Sequence, residues 1–172
     1  MINKSKIVDE SQLDLSESSF TEPFNILIDS LNEEANLSFL GRFAAEYQIK
    51  QHIRTRSAIS DAYETIKDPM VTKPIFVIGL PRSGTTFLFN LLSQDDANRS
   101  PLFWEMMKPL PIVKPNSFNE IIRIKRSDLI LYFKEKFIPK LDDLHAIRSS
   151  SPEECLLIKV FALQSILYFY MA

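Results

Sequence analysis

One short stretch constrains the fold of this chain more than any other: an apolar run followed at once by a loop of small residues. Residues 75–79 read Ile-Phe-Val-Ile-Gly, which are mostly β-branched and aromatic residues without polar alternation. Such a run is typical of a strand buried on both faces, as in the parallel sheets of α/β proteins. Residues 80–86 then form a loop, and the apolar run 87–92 predicts a helix. The local order is therefore strand, loop, helix.

The loop Gly79-Leu80-Pro81-Arg82-Ser83-Gly84-Thr85-Thr86 has the Gly-x4-Gly spacing of phosphate-binding loops. The first turn of a helix leaves backbone N–H groups unpaired, and the helix dipole makes that end positive. Gly84 permits close approach of a ligand or a positive φ. The side chains expected to add donors are those of Arg82, Ser83, Thr85 and Thr86. The loop therefore predicts a site for a phosphate-like anion, and a tight turn that binds nothing is the alternative.

The position of the cation distinguishes this loop from those that bind ATP or GTP. A nucleoside triphosphate loop has a Lys after its second glycine, whereas Thr85 stands there in this chain and Arg82 precedes the glycine. A ligand with one phosphate carrying one sulfonate needs less neutralising charge and no Mg²⁺. His, Cys, Asp and Glu do not group with metal-ligand spacing, so no metal site is predicted.

Residues 1–72 are predicted to form a helical N-terminal segment. We expect residues 1–20 to be frayed, because they are mostly polar. Apolar residues at positions 24, 27, 28 and 31 mark one face of a helix that begins near Pro23. A longer helix is predicted from Phe39 to Ile66, with Ser38 as its N-cap. Its apolar stripe is predicted to begin with Phe39, Leu40, Phe43, Ala44 and Tyr47.

Residues 73–172 are predicted to form the N-terminal part of an α/β domain. A second short strand is expected at residues 100–105 and a helix at residues 118–137. A last helix is predicted to begin at Ser151-Pro152-Glu153-Glu154, which has the pattern of a capping box. Because a parallel sheet needs several strands and the sequence stops inside an apolar helix, we expect a chain truncated after residue 172.

Charge is divided unevenly along the chain. Residues 1–70 carry 7 Lys and Arg against 12 Asp and Glu, whereas residues 71–172 carry 13 against 10. The total of −2 gives no general case for nucleic acid. The sequence predicts neither a signal peptide nor a membrane span, and we expect a cytoplasmic protein. One basic cluster is either a solvated helix face or an attractor for an anionic acceptor: Arg123, Lys125, Arg126, Lys134, Lys136 and Lys140.

The segment "PIFVIGLPRSGTT" at residues 74–86 resembles the 5′-phosphosulfate loop of sulfotransferases that use 3′-phosphoadenosine 5′-phosphosulfate (PAPS). "ANLSFLGRFAAE", "SPLFWEM" and His145 with "SPEEC" extend the likeness to the bacterial-type group, over most of residues 20–160. The resemblance implies a P-loop-type three-layer α/β/α sandwich with a parallel sheet. It implies that PAPS is the donor and that no metal is required, with a small-molecule, glycan or lipid acceptor. The residues that would bind the phosphosulfate are Arg82, Ser83, Gly84, Thr85 and Thr86.

Sulfuryl transfer to a hydroxyl needs a base for the acceptor proton. Glu105 is the first candidate, because the resemblance implies a glutamate at a similar distance beyond the loop; a capping or ion-paired Glu is the alternative. His145 is the second candidate, with a structural histidine as the alternative. The family's 3′-phosphate site has no convincing match before residue 172. Two other functions stay open, a P-loop nucleotide kinase or NTPase and a non-catalytic remnant of a sulfotransferase.

Overall fold

The structure is a computed structural model that describes residues 1–11, 18–65, 71–80, 83–137, 147–165 and 168. Two compact units are present: Met1–Thr65 with Leu156–Ala172, and Ile66–Cys155. The predicted division into domains 1–72 and 73–172 stays a prediction. Among the described helices, none combines the length and the apolar character that crossing a bilayer requires.

The first unit is built from helices. They are α1 (Lys4–Ser11), α2 (Ser18–Glu33), α3 (Phe39–Thr65) and α7 (Leu156–Lys159), followed by a 3₁₀ turn (Val160–Ala162). The predicted fraying of residues 1–20 is wrong for the described part of that range, since α1 forms there and buries Ile7 completely. The last helix, predicted from Ser151 to the end of the sequence, is also wrong in extent for the described residues, because α7 spans only Leu156–Lys159 and a left-handed residue, Leu163 (φ 53°), ends the 3₁₀ turn.

The core of this unit follows helical spacing on α2 and α3. Phe24, Leu27, Ile28 and Leu31 are all buried, as their spacing predicts. On α3 the predicted stripe is wrong, because Phe39, Leu40, Phe43 and Tyr47 are exposed. The buried face is instead Ala45, Ile49 and Ile53, spaced four residues apart, and α3 packs against α1 and the 3₁₀ turn. Ser38 does cap α3, since its Oγ accepts a hydrogen bond from the Gly41 N–H at 3.1 Å.

A histidine and a tyrosine join α3 to the C-terminal part of the same unit. The Tyr168 hydroxyl donates to the Val160 carbonyl at 2.8 Å and lies 2.7 Å from His52 Nδ1. A phenol has only one proton, so His52 Nδ1 is the donor to Tyr168. Burial lowers the pKa of His52 to about 4 and raises the pKa of Tyr168 above its usual range. The pair is thus a neutral, buried contact.

The second unit contains α4 (Thr85–Leu92), α5 (Phe103–Met107) and α6 (Phe118–Phe137). The limits of α6 confirm the helix predicted at residues 118–137. The second strand predicted at residues 100–105 is wrong, because α5 occupies most of that range. Only Leu102 makes a β-bridge, with Pro152. The capping box predicted at Ser151 is also wrong. Residues 151–153 form main-chain hydrogen bonds with residues 101–103, and α7 begins only at Leu156.

Residues 74–80 precede α4 in the chain and form no β-ladder with any residue that the structure describes. Phe76 is 79% exposed and Ile78 is 90% exposed, so the predicted burial on both faces is not found. A parallel strand is stable only with neighbours that take up its hydrogen bonds and cover its faces. The segment therefore has the composition of an inner strand but lacks neighbouring strands among the described residues.

Candidate functional site

The turn between residues 74–80 and α4 has the conformation that its second glycine predicts. Gly84 has φ 86° and ψ 14°, in the left-handed region that side chains disfavour. The Ser83 N–H donates to the Leu80 carbonyl at 3.1 Å, which tightens the turn. A Cβ added at Gly84 would meet no atom within 4 Å, so open space adjoins this position. The predicted positive φ at Gly84 is confirmed.

The first glycine of the loop is required for a different reason. A Cβ at Gly79 would lie 2.6 Å from Ser83 Oγ and 2.7 Å from Thr85 Cγ2. Both distances are far below van der Waals contact, so a larger residue would push the two side chains away. Gly79 therefore lets the hydroxyl-bearing end of the loop fold back over the extended segment. The Gly-x4-Gly spacing thus combines one close approach with one left-handed residue.

The start of α4 faces outward with its backbone donors uncapped by a side chain. Gly84 is the N-cap and makes no side-chain cap hydrogen bond, while its carbonyl accepts the first helical bond from Leu88 N at 3.0 Å. The N–H groups of Thr85, Thr86 and Phe87 precede the first helical donor, the Leu88 N–H, and have no partner within the helix. These donors, the helix dipole and the open space at Gly84 together fit a phosphate or phosphosulfate group.

A carboxylate lies beside the start of α4. The Thr86 hydroxyl donates to Glu154 Oε1 at 2.5 Å, across 68 positions of sequence. Sequence reasoning missed this residue because it assigned Glu154 to a helix cap. No local pattern identifies it, since the contact depends on how residues 151–154 pair with residues 101–103. Glu154 holds the Thr86 hydroxyl in one orientation and places a negative charge next to the site.

Glu105 lies in the first turn of α5 with both carboxylate oxygens engaged. Its Oε2 accepts a hydrogen bond from the Leu102 N–H at 2.9 Å, and its Oε1 forms an ion pair with Arg99 at 2.7 Å. The capping and ion-pairing that sequence analysis left as the alternative are thus both present. An ionised carboxylate offers about four lone-pair positions, so two partners leave room for an acceptor proton. The role of Glu105 as a base stays a prediction.

Two predicted site residues, Arg82 and His145, lie outside the described residues. Ser83, Gly84, Thr85 and Thr86 are adjacent at the start of α4, as predicted. In the described part of the chain, no group of three or more His, Cys, Asp or Glu is arranged to hold a metal ion.

Comparison with known proteins adds a family match and two structural matches. The model of a family described as "Sulfotransferase family" matches residues 74–172. The crystal structure of sulfotransferase STF1 from Mycobacterium tuberculosis H37Rv is 24% identical with a TM-score of 0.68, covering 95% of this chain. That of sulfotransferase STF9 from Mycobacterium avium is 22% identical with a TM-score of 0.66, covering 98% of this chain. Among curated proteins, none matches this sequence.

At these identities the structural likeness shows a shared fold. The chain covers 47% of the STF1 chain and 46% of the STF9 chain, so it spans about half the length of the two structures. The residues matched by the family include the loop 79–86, α4 and α5.

Proposed function

The chain belongs to the sulfotransferase family, and on that premise we propose that it transfers a sulfuryl group from PAPS to a hydroxyl or amine acceptor. One observation carries the proposal: Gly84, left-handed and exposed, begins a helix that has no side-chain cap and that starts with the hydroxyl-bearing residues Thr85 and Thr86. The proposal includes the three-layer α/β/α sandwich, with residues 74–80 as one strand of its parallel sheet. The acceptor is a small molecule, a glycan or a lipid.

The donor-binding residues are those of the loop. The backbone N–H groups of Thr85 and Thr86 would hold the 5′-phosphosulfate, and the hydroxyl of Ser83 would add a donor, while the Thr86 hydroxyl donates to Glu154. Arg82 supplies the positive charge that a Lys supplies in triphosphate loops. PAPS, when bound, supplies an activated sulfuryl group that needs no metal ion for its transfer. The absence of a Lys at Thr85 weighs against the alternative of a nucleotide kinase.

Proton transfer is assigned to Glu105, with His145 as the second candidate. The Leu102 N–H and Arg99 fix the Glu105 carboxylate in one orientation. A base held in this way loses little freedom when it accepts the acceptor's proton.

Binding of the desulfated product tests the donor site directly. Adenosine 3′,5′-bisphosphate should raise the thermal stability of the chain, by about 2.7 kcal/mol at a concentration of 100 times Kd. Arg82→Ala should reduce this shift, whereas Arg42→Ala, an exposed change of the same charge on α3, should not. No shift at millimolar bisphosphate, or a larger shift with ATP and Mg²⁺, would rule out the proposed donor.

The role of Glu105 is tested separately from donor binding. Glu105→Gln should abolish most sulfuryl transfer from radiolabelled PAPS to a panel of hydroxyl acceptors, while the bisphosphate-induced thermal shift remains. Removing a general base costs about 100-fold or more in rate. A variant with unchanged turnover would show that another group takes the proton.

A further inference from the structure

A basic cavity lies in the second unit, between the proline-bearing connection after α5 and the first half of α6. Its volume is about 530 Å³, within the range of small-molecule sites. The lining includes no Asp or Glu. The cationic residues that line it are Lys108, Lys114, Arg123 and Arg126. Four cations line the cavity, and the acid that the structure describes beside it, Glu120, bonds to the Asn116 N–H, so positive charge is in excess there and favours an anionic ligand.

Arg123 shapes this cavity. Its guanidinium donates to the carbonyls of Lys108 at 2.7 Å and Pro111 at 2.8 Å, so it ties the connection to α6. Burial lowers the pKa of Arg123, because no carboxylate in the described chain compensates the desolvated charge. The two backbone carbonyls leave further N–H donors of the guanidinium available. An anion in the cavity would offset the cost of this half-buried charge.

The other three cations are available to a ligand. Lys108, Lys114 and Arg126 have no ion-pair partner among the residues that the structure describes. They are exposed, so their charge is solvated in the absence of a ligand. Apolar side chains complete the wall at Ile112, Val113 and Ile122. The combination suits an organic anion with an apolar body better than a bare inorganic ion.

The cavity adjoins the helix that carries the proposed base. Its wall begins at Lys108, three residues beyond Glu105, and α5 packs against α6. A general base must reach the acceptor proton directly or through one water. The acceptor therefore has to lie near α5, and the lining of this cavity begins one residue after that helix ends.

We propose that this cavity binds an anionic group of the acceptor, so that the acceptor is a hydroxyl compound that also carries a carboxylate or a phosphate. The inference rests on the proposed function and narrows its acceptor class. Arg123 fixes the shape of the cavity, while Lys114 and Arg126 supply the charge that selects the ligand.

Two probes of equal shape test the charge preference. The wild-type chain is titrated with 4-hydroxybenzoate and with neutral 4-hydroxybenzamide by calorimetry at low salt. We expect the benzoate to bind about fivefold more tightly, since an exposed ion pair contributes up to about 1 kcal/mol. The preference should weaken as salt is added. A third probe, 4-hydroxyphenyl phosphate, shows whether a phosphate is preferred to a carboxylate.

A matched pair of variants locates the site. Arg126→Gln removes a cavity cation, and Lys125→Gln removes the neighbouring exposed charge, which does not line the cavity. We expect Arg126→Gln to weaken benzoate binding about fivefold, with a similar loss for Lys114→Gln and no change for Lys125→Gln. Circular dichroism establishes that each variant is folded.

Equal binding of the benzoate and the benzamide would overturn the proposal, and so would equal losses for Arg126→Gln and Lys125→Gln. If the cavity variants weakened adenosine 3′,5′-bisphosphate instead of the benzoate, the cavity would serve the donor and the proposal would be wrong. Absence of bisphosphate binding by the wild-type chain, with cavity-dependent benzoate binding retained, would count against the proposed function and would support the anion site.

Discussion

Replacing Glu154 by glutamine should strengthen binding of the donor's product. The Glu154 carboxylate lies 2.5 Å from the Thr86 hydroxyl at the start of α4. A phosphate oxygen that accepts from the Thr86 N–H would lie about 3 Å from that nitrogen and therefore about 5 Å from the carboxylate, which bonds to the hydroxyl of the same residue. Two like charges at about 5 Å repel by about 1 kcal/mol in a water-like medium and by about 3 kcal/mol at an effective dielectric constant of about 20.

Glutamine removes this repulsion and keeps an oxygen that accepts the Thr86 hydrogen bond. Glu154 is half-buried, so we expect the lower part of the range to apply: a Kd for adenosine 3′,5′-bisphosphate about fivefold below that of the wild-type chain. Isothermal titration calorimetry measures the Kd of both chains. Glu135→Gln, an exposed change of the same charge on α6, controls for the net charge of the protein and should leave the Kd unchanged at 0.15 M salt.

The outcome distinguishes two roles for Glu154. An unchanged Kd in Glu154→Gln would refute the repulsion, and a higher Kd would show in addition that the carboxylate supports binding through the orientation that it gives Thr86. The fivefold gain should also shrink as salt is raised, because the interaction is between charges. A gain that is independent of salt would point to a change in loop shape.

Two further predictions concern the loop and the helical unit. Gly84→Ala should lower the free energy of unfolding by about 1–2 kcal/mol in urea titrations, because an L side chain at φ 86° is strained although the space is open; Gly84→Asn should lose less, and equal losses would contradict this reason. His52 has a pKa of about 4 in the folded chain against about 6.5 when unfolded, so only the unfolded chain takes up a proton between these values. Stability should therefore fall as pH drops from about 6.5 to about 4, by up to about 3 kcal/mol, and His52→Gln should abolish this part of the pH dependence.

Local features of the fold were predictable from local sequence. The N-cap at Ser38, the limits of α6 and the left-handed Gly84 each depend on residues close in the chain. Helix caps, apolar periodicity and glycine conformations are short-range properties, so a pattern of a few residues is enough to indicate them. The same holds for the apolar face of α2, where the spacing itself identifies the buried side.

Features that depend on distant contacts were not predictable. Residues 100–105 have strand-like composition, yet the Phe103 N–H bonds to the Ser151 carbonyl at 3.1 Å and α5 starts there. The buried side of α3 depends on which helices pack against it, and the apolar residues at its start are left uncovered. Glu154 reaches Thr86 only because the 151–154 segment returns to the loop helix. The pattern of residues in one sequence does not indicate which distant segments contact each other.

The short β-bridge between Leu102 and Pro152 has a mechanical consequence. On one side of it the chain enters α5 and reaches Glu105, and on the other side it reaches Glu154 two residues later. Main-chain hydrogen bonds between residues 101–104 and 149–153 fasten the two carboxyl-bearing segments together. The carboxylate beside the Thr86 hydroxyl and the carboxylate in the first turn of α5 therefore share one main-chain anchor, and a shift of either segment strains the hydrogen bonds that hold the other.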